Sequence, residues 1–455
     1  MSSPVTVRVR MYQVGFGDCF LVTVEYDGPL PDGRAERHLL IDYGSSRSAR
    51  DGRAKGRMAD VAALIEEHTH GVLDVLALTH RHKDHLSGFA DDTGAQTLRR
   101  LSPARVLRPW TEDPTLQPDA TGPASGDEAP LAVDGGAVGD DSGAVGDDGG
   151  AVGAVSRSFA AGLAGVQAAA EHLATTAGLH ADVLEAAGQQ LKNAEAVRLL
   201  DDLSDTGRGR YLYAGSDPGT ADLLPGLTVT VLGPPTVEQE PAVTGQREDD
   251  KDQFWMLRLG ASLTSVAGPP GSTGALSDVD LGPGPVRRLV ERLAGQRSHS
   301  AARLVHQLDD ALNNTSLVLL LQVGRLSLLF PGDAQIENWQ YTLDRLAGDP
   351  ELRATLRDVD LYKVGHHGSR NATPRSLYAL WQERPAAAPP VTSLMSTRPG
   401  VHGESEATAV PRQTLVDALK AIGPLHSTDD LDRNQPYLEV RAAVTGGPFR
   451  LVDDE

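Results

Sequence analysis

The chain has 455 residues, 40% of them hydrophobic and 23% charged, the balance of a soluble globular protein. Its net charge is −20, and no Lys or Arg occurs between Arg108 and Arg157; this excludes duplex DNA binding by bulk electrostatics, but not capture of a small anion beside a bound cation. Cys19 is the single cysteine, which excludes an intrachain disulfide and a Cys-rich zinc site.

Residues 5–14 alternate with period two and predict a half-buried strand. A turn at Gly15–Asp18, a strand over 19–25, a Gly/Pro turn at 27–32 and a strand over 38–42 follow. A helix is expected over Met58–His68, with Val61, Leu64 and Ile65 on one face. Residues 74–79 predict a short strand apolar on both faces, with a cluster of histidines at its carboxyl end. From Thr111 to about Ser156 the chain is low in complexity, with Gly136–Gly143 nearly repeated in Gly143–Gly150, and is expected to be a disordered loop. Phe159–Asp202 is Ala/Leu-rich with helical spacing, a strand is expected over 227–232, and Ser265–Pro285 reads as a loop. Val286–Leu312 is expected to be mainly helical, 316–323 and 326–330 to form a hairpin, and 360–364 another strand.

Strands thus gather at the two ends of the chain. We expect one α/β core built from residues 1–110 and 206–455, interrupted by an acidic Gly-rich loop at 111–155 and a helical insertion at 156–205. The N-terminus lacks the apolar run of a secretion signal, and no stretch of about 18 apolar residues occurs, so a cytoplasmic protein without membrane contact is expected.

The strongest chemical signal is Thr79-His-Arg-His-Lys-Asp-His85. In extended chain, residues i and i+2 point the same way, so His80 and His82 can converge on one metal ion. Asp84 and His85, at the turn into the next helix, can serve a second, and imidazole with carboxylate suits Zn²⁺ or Mn²⁺. In His68-Thr-His70, at a helix end, i and i+2 diverge by about 200°, so that pair is expected to be exposed and inert. Asp333 follows an apolar strand in Pro331-Gly-Asp333, where a carboxylate can bridge two ions. The adjacent His366 and His367, at a strand end, suit one ligand and one proton-transfer residue. Asp42 is either a brace behind a ligand or an ordinary turn residue, and Asp18 likewise. Lys363 is a candidate phosphate contact, although a strand lysine usually faces solvent.

In order and context these motifs resemble the metallo-β-lactamase superfamily. Val14-Gly-Phe-Gly-Asp-Cys19, Asn313-Asn-Thr-Ser-Leu-Val318, Pro331-Gly-Asp333 and Lys363-Val-Gly-His-His-Gly-Ser369 are similar to the soluble hydrolase domain of the DNA-uptake channel ComEC and its stand-alone relatives. The resemblance spans roughly residues 5–90 and 305–440. It implies a four-layer αββα sandwich and one or two divalent metal ions, Zn or Mn. His80 and His82 would hold the first. Asp84, His85 and one of His366 and His367 (the spacing favours His367) would hold the second, with Asp333 shared. Asp84, His366 and the late His402 are the candidate catalytic residues. Where a third histidine for the first ion is expected, this chain has Asn313-Asn314.

A divalent ion brings bound water toward neutral pKa, so a metal-dependent hydrolase is expected, preferably a phosphodiesterase or nuclease acting on single-stranded nucleic acid or a nucleotide. The alternatives are a small-molecule hydrolase of lactone or lactam type and a partner-binding protein with a degenerate metal site, its partner held by residues 156–205.

Overall fold

The computed structural model describes residues 2–46, 57–116, 122–123, 194–205, 207–244, 312–371, 373–401, 409–432 and 434–452. Most of the acidic loop, the helical stretch before residue 194, the loop at 265–285, the helix expected before residue 312, and His402 lie outside the described residues.

Alternating side chains sort each strand into an inward and an outward face. In β1 (Pro4–Tyr12), Val7, Val9 and Met11 are buried together with Phe20, Val22 and Val24 of β2 (Phe20–Tyr26) and Leu39 and Ile41 of β3 (Glu36–Ile41). These strands pair with β4 (Val75–Ala77), β5 (Arg105–Pro109), β6 (Gly209–Leu212), β13 (Tyr437–Ala443) and β14 (Arg450–Leu451) in the order β14-β13-β1-β2-β3-β4-β5-β6. A second sheet contains β7 (Leu227–Gly233), β8 (Val318–Val323), β9 (Leu326–Phe330), β10 (Leu361–Lys363), β11 (Thr392–Met395) and β12 (Leu425–Ser427), in the order β12-β11-β10-β9-β8-β7. Both sheets are mixed. β3 to β6 are mutually parallel, as are β9 to β12, while the neighbouring strands pair antiparallel.

One apolar cluster draws on both sheets: Leu319, Leu321, Leu328 and Phe330 of the second join Val9, Val22 and Ile41 of the first. The opposite faces meet helices. Leu21, Leu40 and Leu76 pack with α1 (Arg57–His68), α3 (Asp92–Leu101) and α4 (Ala194–Ser204), through Val61, Ile65, Leu98, Leu199 and Leu200. Leu320, Leu329 and Tyr362 pack with α5 (Ile336–Arg345), α6 (Pro350–Arg357), α7 (Arg375–Gln382) and α8 (Gln413–Ile422), through Trp339, Leu356, Leu377, Trp381, Leu415 and Leu419. Each such buried Leu contributes roughly 1.5–3 kcal/mol of transfer free energy.

The strands expected within the described residues form, with ends within a few residues of those expected. The short polar β6 (Gly209-Arg-Tyr-Leu212) lacks an apolar pattern of its own and is a strand because it pairs with β5. His68 is placed differently from expectation. It is half-buried, with Nδ1 2.9 Å from the Tyr12 hydroxyl, while His70 is 79% exposed. Among the described residues no helix is long and apolar enough to cross a membrane.

Candidate metal centre

The chemical residues gather where strands of both sheets end. Asp42 follows β3, the His80–His85 segment follows β4 and includes the short helix α2 (Lys83–Leu86), Asp333 follows β9, and His367 follows β10. The carboxyl ends of parallel strands form a natural site because successive loops open there side by side. A backbone contact joins the two sheets at this point: Leu317 N donates to Thr79 O at 2.9 Å. Within the second sheet, Asp333 N donates to Ser316 Oγ at 3.3 Å. Glycines permit the close packing here. A Cβ on Gly332 (φ 55°) would lie 2.8 Å from Thr79 Cβ, across the two sheets, and one on Gly17 would lie 2.6 Å from Asp84 O, between loops of the first sheet.

Hydrogen-bond logic fixes which nitrogen of each imidazole carries the proton. Asp42 accepts from Thr79 N and from Thr79 Oγ1, both at 2.7 Å, and its Oδ2 lies 2.8 Å from His85 Nδ1. A carboxylate only accepts, so His85 Nδ1 is a donor; in the neutral ring the lone pair is then on Nε2, and in the protonated ring Nε2 donates to Asp333. The Thr79 hydroxyl has given its proton to Asp42 and therefore accepts from His80 Nδ1, 3.1 Å away, leaving His80 Nε2 bare. His367 Nδ1 donates to the Ser396 carbonyl at 2.9 Å, so in its neutral ring the lone pair is on Nε2 as well. Asp42 itself has left-handed backbone (φ 56°), a cost that the three hydrogen bonds to its carboxylate offset.

The Nε2 atoms converge. His85 Nε2 lies 3.1 Å and His367 Nε2 3.4 Å from the same oxygen, Asp333 Oδ2. Asp84 Oδ2 lies 3.2 Å from His367 Nε2. Both Nε2 atoms are buried without a well-aligned hydrogen-bond partner. His80 Nε2 faces His82 Nδ1 at 2.9 Å, and the His80 and His85 ring centroids are 4.2 Å apart. Asp18, His85, Asp333 and His367 are all buried, with one potential ligand atom each within 4.8 Å of the others, and this group could hold a metal ion. Within it Asp18 differs from the rest. Its oxygens approach the Nδ1 edges, 3.7 Å from His85 and 3.6 Å from His367, and these nitrogens already serve Asp42 and Ser396. On the Nε2 side, where lone pairs point, the carboxylates are Asp333 and Asp84. Asp333 and Asp84 thus lie on the Nε2 side of His85 and His367, and Asp18 on the Nδ1 side.

The electrostatics agree with cation binding. Burial opposes a charge on His367, but Asp333, Asp18 and Asp84 outweigh it and hold its pKa up at about 10. Burial acts likewise on His85, where Asp333 and Asp42 push the pKa well up. Burial would raise Asp333 and Asp84, yet the nearby imidazoles hold both below the usual carboxylate range. His80, buried and beside His85 and His82, is held well below the ordinary imidazole value. A metal ion would take the place of the protons that the carboxylates draw onto His85 and His367.

The structure brings together His80, His82, Asp84, His85, Asp333 and His367. His366 is less buried than His367, and its ring centroid is 6.4 Å from that of His367. Asn314, one of the pair Asn313-Asn314, directs its amide nitrogen toward Glu337 Oε2 at 3.4 Å. Lys363 does not face solvent. It is 2% exposed, ion-paired with Asp18 and 3.3 Å from Asp333 Oδ1. Sequence reasoning did not single out Thr79, although its place directly before His80 at a strand end was the available signal. The contribution of Ser396 comes through its backbone carbonyl and leaves no side-chain signature.

No family model matches the chain. A 76-residue segment is 38% identical to Recombination protein 2 of Haemophilus influenzae; the match spans 17% of this chain and 8% of that protein's length.

Proposed function

We propose that this protein is a metal-dependent hydrolase of metallo-β-lactamase type, a four-layer αββα sandwich whose preferred substrate is a phosphodiester in single-stranded nucleic acid or a nucleotide. The observation that carries the reading is the pair of imidazoles, His85 and His367, oriented through Nδ1 and with Nε2 atoms directed at Asp333 Oδ2, where a cation would replace a proton. A zinc or manganese ion held there would lower the pKa of water toward neutrality and would offset charge on the oxygen of the bond under attack. The chain's own residues supply the rest. Asp42 and Ser396 keep the imidazoles oriented, Asp333 offers a carboxylate to both, and His80 and His82 present a second pair of facing nitrogens at 2.9 Å. Two apolar faces packed with helices, on either side of an inter-sheet core, support the layered architecture. The segment shared with a protein named for recombination favours a nucleic-acid substrate.

The net charge of −20 favours the second reading, a small-molecule lactone or lactam hydrolase. Purified protein supplied with Mn²⁺ or Zn²⁺ should cleave single-stranded DNA or a cyclic dinucleotide and leave a chromogenic lactam intact. Lactam turnover with no phosphodiester cleavage under either metal would reverse the choice. Inactivity on all three substrates, with no metal bound, would leave the partner-binding reading.

A further inference from the structure

Lys363 closes β10 in the middle of an apolar sequence, Leu361-Tyr-Lys-Val364, and is 2% exposed. Its ammonium donates to Gly332 O at 2.9 Å, pairs with Asp18, and lies 3.3 Å from Asp333 Oδ1. The other oxygen of Asp333 faces His85 and His367. One carboxylate is thus shared between a fixed cation on one side and the proposed metal ligands on the other. Asp18 faces the Nδ1 edges of the same imidazoles and holds Lys363 in place. Asp18, Asp42, Asp84 and Asp333 surround two imidazoles, and Asp18, Asp42 and Asp333 are at most 1% exposed, so their mutual repulsion is little screened.

We infer that Lys363 is a resident counter-ion of the centre: it holds Asp18 and Asp333 assembled before a divalent cation arrives and competes with that cation for Asp333. This rests on the metal-centre reading above. Lys363 is a positioning residue, acting through Asp333 and not on substrate. The competition gives a signature that ordinary packing would not. Removing the ammonium takes away the charge that stabilises the cation-free protein, and it also exposes Asp333 fully to an incoming cation. The metal-free protein should become less stable while its affinity for the metal rises.

The test compares wild type, Lys363→Met, Lys363→Gln and Lys363→Arg as full chains, titrated with Mn²⁺ alone by calorimetry and melted with and without it. Lys363→Gln keeps a donor for Gly332 O and secures the test if Lys363→Met does not fold. For the neutral variants we expect a lower melting temperature without Mn²⁺, a larger rise on adding it than in wild type, and affinity tighter by about tenfold or more. Lys363→Arg should restore the wild-type gap. Neutral variants with unchanged or weaker affinity, or with the same loss of melting temperature in both conditions, overturn the role of Lys363 while the metal centre stands. A wild-type protein that binds neither Mn²⁺ nor Zn²⁺ overturns the centre and this role together.

Discussion

Asp42 and His85 are joined by a 2.8 Å hydrogen bond on the edge of the imidazole turned away from Asp333, so a residue distant from the converging lone pairs decides where those lone pairs are. Through Thr79 the same carboxylate sets the proton on His80. Replacing Asp42 by Asn should therefore disturb two imidazoles at once. Affinity for Mn²⁺ or Zn²⁺ should fall by roughly 10–100-fold, the usual effect of losing such a partner, with both sheets intact by circular dichroism. Unchanged affinity in a chelator competition would show that Asp42 only shapes the turn.

The adjacent histidines separate by experiment. His367→Ala removes a buried Nε2 that faces Asp333 and Asp84, whereas the less buried His366 ring has its centroid 6.4 Å from that of His367. Metal analysis after dialysis should find the centre depleted in His367→Ala and filled in His366→Ala. The reverse pattern would exchange their roles.

Much of the fold was legible because apolar alternation and strand faces are the same physical fact. The hairpin of Val318–Val323 and Leu326–Phe330 falls where the sequence places it. Members of the buried His/Asp cluster were legible because imidazoles and carboxylates grouped at strand ends have few bland explanations. Two things were not. Lys363 has the sequence context of a solvent-facing strand residue, and its burial follows from carboxylates supplied by the turn after β1 and the turn after β9. The hydrogen bond to Ser396 is made by a backbone carbonyl, which any residue provides. Long-range partners of both kinds exist only once the two sheets have met.

Gly332 tests that meeting. Its backbone is left-handed (φ 55°), and a Cβ at this position would lie 2.8 Å from Thr79 Cβ, which leaves no room for a side chain. Gly332→Ala should cost about 1–3 kcal/mol and weaken metal binding as well, because Asp333 is the next residue. A denaturation midpoint equal to wild type would contradict the tight junction.

His38 predicts an acid limit independent of the centre. Burial first, then Arg34 and other nearby cations, lowers its pKa from 6.5 to about 3. The folded protein keeps His38 neutral where the unfolded chain is already protonated. Its contribution is complete above pH 6.5 and is lost toward pH 3 at a limiting slope of about 1.4 kcal/mol per pH unit. Urea unfolding of His38→Gln between pH 7 and 4.5 should show a shallower pH dependence than wild type. Parallel curves would assign the acid limit elsewhere.

The central claim is that His85, His367, Asp333 and Asp84 hold a divalent cation. Anomalous scattering from crystals grown with Mn²⁺ or Zn²⁺ addresses it directly. The expected result is a peak within about 2.0–2.3 Å of the Nε2 atoms of His85 and His367, with Asp333 and Asp84 carboxylates beside it. A fully formed protein with no anomalous peak between these four residues, at metal concentrations that fill ordinary sites, would contradict it.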